Sequence, residues 1–230
     1  KYGVDTSKIV RGGDRVGIYF LEKGASQRGS VCIYDRAHSA IAEAQPSEFD
    51  WDSIFEGVEW FHFTGITPAL GENMVETCRQ ACIANEEDAK DVFGIEAENT
   101  DIYGGKLNKE GYKSVAKQLA DKFGFEKVAI TLRTSISAND NDWAAMLYDG
   151  ENYCFSKEYH LHIVDRVGGG DSFGGGLIYS LLSGKNSQDA IEFAVAASAL
   201  KHSIEGDYNM VTVSEVEKLA GGDGSGRVQR

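Results

Sequence analysis

An α/β domain with helices packed on a parallel sheet is the fold the sequence predicts, and three observations predict it. Strand-like and helix-like runs alternate along the 230 residues. The strand-like runs are apolar almost throughout, as in strands covered on both faces. One of them, residues 160–164, runs through a glycine-rich stretch into a segment with helical spacing of apolar residues. The length suits one such domain with a substantial core.

The elements follow in order. Residues 17–21 and 30–34 are β-rich and joined by the polar, Gly-containing stretch 22–29, a hairpin-like pair. Residues 57–63 read as a buried strand closed by Thr64 and Gly65, and residues 71–80 as a helix. Residues 81–84 look like the end of a core strand. Residues 85–93 form a second helix, with Asn85 as N-cap, acids in its first turn and Gly94 as its stop. No turn separates the 71–80 helix from the 81–84 strand. A helix cannot reverse into a sheet without a connection, so residues are expected to be absent at this join; the competing expectation is one helix continuing through Ala84. Residues 110–123 form an amphipathic helix carrying Val115, Leu119 and Phe123. Residues 127–132 form a core strand, and 143–148 with 153–155 a hairpin around Asp149-Gly150. Phe173, Leu177, Ile178, Leu181 and Leu182 place a helix start near Asp171. Residues 187–202 form an alanine-rich helix suited to close packing, and 221–230 a flexible tail.

Composition narrows the function classes. The formal charge of −13, from 36 acidic and 23 basic residues, argues against nucleic acid and against an anionic membrane surface as partners. An anionic ligand would have to be held by local groups. No stretch approaches the ~20 apolar residues of a membrane span, and none has a signal-peptide layout. Cys32, Cys78, Cys82 and Cys154 lack CxxC spacing, which fits reduced thiols in a cytoplasmic protein. The five histidines offer no metal cluster; His160 and His162 alternate on one strand face, where packing is expected rather than ligation.

The run from Val164 to Leu177 carries the chemistry. Glycines between a strand and a helix leave backbone N–H groups free to meet an anion, and the helix N-terminus adds about half a positive charge. Asp171 would repel a phosphate. It makes sense if a neutral hydroxyl is deprotonated beside a transferring phosphoryl group; otherwise it is a plain N-cap. Gly168, Gly169 and Gly170 would donate N–H groups to the developing charge, and side chains there would block the approach. Tyr34 and Arg36 are two apart on a strand and share a face. A guanidinium there can grip a carboxylate with two parallel bonds, or it is an exposed strand residue with no ligand. Tyr19 on the partner strand would cover a substrate, or serve as a cross-strand aromatic. Asn85 and Asp88 lie three apart on a helix's first turn, where capping alone nearly accounts for them. Thr131 sits where a core strand is expected to end, a usual ligand crevice, and Ser135 follows in a loop; either hydroxyl could touch phosphate. Asp207 would bond a sugar or shape the Gly206-Asp207 turn.

These residues resemble the ribokinase-like, or PfkB, carbohydrate kinases. That family's late signature is D-x-x-G-A-G-D-x-F-x-x-G, and residues 165–176 reproduce it with Gly169 in place of alanine. Within the family the chain is similar to the 2-keto-3-deoxygluconate kinases, through residues 17–20, 34–40, 82–89, 197–202 and 206–209. The resemblance implies a ribokinase-like three-layer α/β/α sandwich, one kinase domain over 1–230, with a small β lid over about 12–36. It implies ATP-dependent, Mg2+-assisted phosphorylation of 2-keto-3-deoxygluconate at its terminal hydroxyl, and pairing of two copies through the lid. It gives Asp171 the role of general base, Asn85 and Asp88 a role in organising Mg2+ and phosphates through water, and Lys201 or the alanine-rich helix a place beside adenine. Three departures stand out. The family's opening strand and sugar-hydroxyl segment lie upstream of Lys1. A strand and a carboxylate-binding arginine are missing at the Gln80 join. Thr131-Leu132-Arg133 stands where many members have Thr-x-Gly or Lys-x-Gly. The alternatives are another sugar or nucleoside kinase of the family, or a catalytically impaired, kinase-derived binding protein.

Overall fold

The computed structural model describes residues 3–44, 46–58, 60, 62, 83–85 and 109–224. They fall in two compact units, residues 1–24 with 29–81, and residues 25–28 with 82–230. In the first unit β1 (Ile18–Glu22) and β2 (Val31–Asp35) form an antiparallel ribbon, registered with Ile18 opposite Asp35 and Tyr19 opposite Tyr34. Two short helices follow, α1 (Ala40–Glu43) and α2 (Trp51–Phe55), the latter capped by Asp50 accepting from Ser53 N–H. The 71–80 helix lies outside the described residues; of the expected 57–63 strand, residues 57, 58, 60 and 62 are described and none of them is in a strand.

The second unit is built on a five-stranded sheet. Its strands are β3 (Ile83–Asn85), β4 (Val128–Ser135), β5 (Asp140–Tyr148), β6 (Tyr153–Phe155) and β7 (Tyr159–His162). The described helices are α3 (Lys109–Phe123), α4 (Gly169–Leu182), α5 (Ser187–Lys201) and α6 (Val213–Ala220). The parallel sheet expected from the sequence is corrected here. β3 runs parallel to β4, but β4–β5 and β5–β7 are antiparallel, and β5–β6 is the antiparallel hairpin expected around Asp149-Gly150. The cause is connection length. Only residues 136–139 join β4 to β5 and 149–152 join β5 to β6, whereas a parallel crossover needs a dozen or more residues.

The continuous apolar runs are nevertheless explained by burial on both faces. Val128, Ile130 and Leu132 of β4, with Ala144, Met146 and Tyr148 of β5, pack on Val115, Ala116 and Leu119 of α3. The alternate residues Ala129, Trp143, Ala145 and Leu147 pack on Phe173 and Leu177 of α4 and on Ile191, Ala194 and Val195 of α5. Helix, sheet and helices thus make the three α/β/α layers. A Cβ on Gly176 would lie 3.1 Å from Ala197 Cβ and 3.2 Å from Ala194 Cα, so small residues let α4 and α5 approach closely. α6 is closed by a capping box between Thr212 and Glu215 and buries Val216 against Phe193 and Ala197. The start of the expected tail is folded onto it, with Gly221 as C-cap.

His160 and His162 are not packed inside, as the alternation suggested. They stand exposed on β7 and pair across the strand gap, His160 Nδ1 with Asp142 and His162 Nδ1 with Asp140 at 2.8 Å. The hydrogen bond to Asp142 raises the His160 pKa. A histidine raised on folding adds stability below its unfolded pKa of about 6.5 and loses it as pH climbs through the folded value. In thermal unfolding, His160→Gln is therefore expected to lower Tm below about pH 6.5 and to match wild type near pH 9. A deficit that grows with pH would contradict the pairing.

Candidate active site

The glycine turn gathers most of the candidate residues of the second unit. Gly168 is the N-cap of α4 with φ 77° and ψ 2°, a left-handed conformation that glycine adopts without strain. A Cβ there would also lie 2.1 Å from Asp207 O, so the 206–207 turn sits directly against it. Asp165 fastens the two segments, its Oδ1 accepting from Val167 N–H at 3.2 Å and its Oδ2 from Gly206 N–H at 3.1 Å. The first bond into the helix runs from Ser172 N–H to Gly168 O at 2.9 Å. The amides of Gly170 and Asp171 precede it and have no hydrogen-bond partner among the described residues. They are the helix's orphan donors, at the positive end of its dipole. A Cβ on Gly170 would meet nothing within 4 Å, so the space in front of these donors is open.

One of the three expected donors is corrected. The Gly169 amide donates to Arg166 O at 3.2 Å and is not available to a ligand. Its lack of a side chain has another cause, since a Cβ would lie 2.6 Å from His202 Cε1.

Asp171, in the first turn of α4, is exposed and opens on a groove of about 370 Å3. Asp207, Tyr208 and Asn209 line the same groove, with Tyr179, Phe193 and Val216 on its apolar side. The structure thus brings Asp171, Gly168, Gly170 and Asp207 together. Thr131 lies in mid-strand, because β4 continues four residues further; Ser135 is the strand's last residue, not a loop position. Thr131 pairs in register with Asn85, the last residue of β3, and the helix expected over 85–93 lies outside the described residues beyond Asn85. Asp88 lies outside the described residues. Lys201 is not brought to the groove: it is fully buried, and its ammonium donates to Ile204 O at 3.0 Å. Among the described residues no group of three or more His, Cys, Asp or Glu could hold a metal ion.

Two arginines escaped the sequence reading. Arg133 of β4 and Arg166 of the turn are close enough for their charges to oppose each other. Burial, and then Arg133, lowers the Arg166 pKa. Arg166 Nη2 donates to Ala138 O at 2.6 Å, which fixes its guanidinium. The signal available was Arg166 itself, two residues before the first glycine of a proposed anion site.

In the first unit, Tyr19, Tyr34 and Arg36 do assemble. The two tyrosine rings are 6.3 Å apart across β1–β2, and the Arg36 guanidinium lies 4.3 Å from the centre of the Tyr34 ring. A hydrogen bond with the Cys32 thiol raises the Tyr34 pKa.

The chain is similar to known proteins in sequence and in fold. Residues 82–215 match the family described as pfkB family carbohydrate kinase. The crystal structure of 2-dehydro-3-deoxygluconokinase from Thermotoga maritima is 44% identical, with a TM-score of 0.86 over 96% of this chain and 77% of that one. The 2-dehydro-3-deoxygalactonokinase of Haloferax volcanii is 32% identical over 238 residues, 91% of this chain and 72% of the relative. The 2-dehydro-3-deoxygluconokinase of Thermoproteus tenax is 25% identical over 247 residues, 94% and 72%. Both aligned stretches are longer than the 230-residue chain, so these relatives hold residues inside the matched region that this chain lacks.

Proposed function

We propose that this chain, which belongs to the PfkB family of carbohydrate kinases, transfers the terminal phosphoryl group of ATP to the terminal hydroxyl of 2-keto-3-deoxygluconate. The observation that carries the reading is the Asp171 carboxylate beside two unspent helix-terminal amides, at one end of a groove it shares with Asp207. The amides of Gly170 and Asp171 suit the phosphoryl oxygens as charge shifts onto the leaving group. Arg166, already fixed through Ala138 O, and Arg133 supply positive charge that the −13 chain lacks overall. As the substrate oxygen bonds to phosphorus and the bridging P–O bond breaks, the hydroxyl proton passes to Asp171. The products are 2-keto-3-deoxy-6-phosphogluconate and ADP. Magnesium would travel with the triphosphate, and the family resemblance gives Asn85 and Asp88 the part of organising it through water. On the first unit, Arg36 and Tyr34 offer a guanidinium and a hydroxyl to the sugar acid's carboxylate, and Tyr19 covers it.

The sugar acid, as opposed to a neutral sugar, is favoured by the fixed Arg36–Tyr34 stack and by the names of the relatives. Pairing of two copies through the ribbon is supported by its exposed apolar face of Ile18, Phe20, Val31 and Ile33.

Three outcomes are expected. Asp171→Asn should lower kcat about 10²–10⁴-fold in a coupled ADP-release assay, with nucleotide binding retained. Turnover equal to wild type would remove Asp171 as the base. Arg36→Ala should raise KM for 2-keto-3-deoxygluconate about 10-fold or more, the worth of a charge-assisted bond, and leave KM for fructose unchanged. Equal effects on both would overturn the substrate assignment. Phe20→Glu should halve the mass seen by sedimentation equilibrium; a monomeric wild type would exclude pairing.

A further inference from the structure

The C-terminal end of α5 lies beneath the glycine turn and touches it at several points. Ser198 Oγ donates to Gly169 O at 2.8 Å, a buried bond to the first residue of α4. One turn later, His202 O accepts from Val164 N–H at 2.9 Å and from Asp165 N–H at 3.2 Å. The His202 ring is 5% exposed. Its Nδ1 lies 2.7 Å from Ser198 O. A carbonyl only accepts, so Nδ1 carries the hydrogen and the ring orientation is fixed. One face of the ring leans on Trp143, with centroids 5.2 Å apart. The opposite edge, Cε1 and Nε2, fills the place a Gly169 side chain would take, 2.6 and 2.8 Å from its Cβ position. Ser198, His202 and the missing side chain of Gly169 thus meet directly beneath the α4 N-terminus.

We propose that His202 is a positioning residue: its imidazole, wedged between Trp143 and Gly169 and tied to Ser198, sets where Asp171 and the Gly170 amide stand relative to the reacting groups. His202 touches neither reactant; it acts through Gly169. The inference rests on Asp171 being the base, and it assigns a role to a residue that the reaction itself does not use. A misplacement of about 1 Å can cost on the order of 10²-fold in rate. Losing the wedge should therefore appear in kcat and not in KM.

The test is a size-exchange cycle on the whole chain: wild type, His202→Asn, Gly169→Ala, the double variant, and Asp171→Asn as control. Asparagine keeps the donor to Ser198 O but removes the ring atoms under Gly169; alanine adds the methyl that those atoms exclude. Each single change is expected to lower kcat about 10- to 100-fold, with KM for the sugar acid within about 3-fold. In the double variant the methyl occupies the vacated space, and kcat should return to within about 10-fold of wild type. Circular dichroism melts run alongside. Wild-type kcat in the single variants, losses that multiply in the double, or a rate loss matched by loss of folded protein at normal kcat would each overturn the proposal. If the single variants do not accumulate as folded protein, the double variant decides: folded and active supports the wedge, unfolded refutes it. Failure of the underlying reading looks different, because Asp171→Asn would then turn over like wild type.

Discussion

The site depends on how closely α4 and α5 approach each other. Gly176 leaves no side chain between them, and Ala194 and Ala197 face it with the least bulk a side chain can have. Dispersion and burial reward such an approach only if the contact is continuous, and Phe173, Leu177, Ile191 and Val195 close it against the sheet. The two helices then act as one slab. Its upper end places Ser198 and His202 under the start of α4 and the 206–207 turn against Gly168. A side chain at Gly168 would run into Asp207 O, and one at Gly169, where the family signature has alanine, would run into the His202 ring of this chain. The three glycines thus answer two demands. Gly168 and Gly169 serve internal packing, and Gly170 alone faces open space.

That division also shows what was legible in the sequence. The strand–glycine–helix order, the Asp171 helix and the alanine-rich helix could be read, because periodicity and punctuation are local signals. The strands β4 and β5 could be read as apolar runs. Their relative direction was open to a simple count that the apolar pattern obscured, since four-residue connections require antiparallel neighbours. The capping box of Thr212 and Glu215 was equally visible as T-x-x-E and marks α6. Other features were not local. That the Gly169 amide turns to Arg166 O depends on the helix starting at Gly169 and not at Asp171. That Lys201 is enclosed, and not offered to a base, depends on the 202–204 turn folding back over its ammonium. Thr131 lies mid-strand because β5 begins at Asp140 and pairs with β4 as far as Ser135.

The family is evident from the fold and the signature, whereas the substrate is set by a few side chains on a different element. The 44% identical Thermotoga maritima enzyme and the 32% identical Haloferax volcanii enzyme bear the names of kinases for two epimeric sugar acids. Both acids present one carboxylate and one terminal hydroxyl. A cation with a hydrogen-bonding neighbour recognises the first and a base recognises the second, and neither feature distinguishes the epimers. Discrimination at a single inverted carbon needs a group that would be left unpaired by the wrong configuration. In the proposed reading Arg36 and Tyr34 serve the acid class and Asp171 the alcohol, so none of the three separates the epimers.

Electrostatics sets the last constraint. A chain with net charge −13 must bind a triphosphate and a sugar acid, both anionic, so the binding charge has to be local. Local charge is costly where it is unpaired. Burial and Arg133 already depress Arg166, and the Gly170 and Asp171 amides of α4 have no partner among the described residues. An anion accepting from those amides would satisfy donors that the fold leaves unspent. On the proposed reading Asp171 works in the opposite sense. Its negative charge would resist the phosphoryl group until it took a proton from the substrate hydroxyl. The carboxylate would become neutral as the phosphoryl charge moved, so proton transfer and phosphoryl transfer would favour each other. That coupling requires Asp171 and the amides to be held at fixed separation, which is the task of a rigid helix start resting on a packed floor and not of a flexible loop.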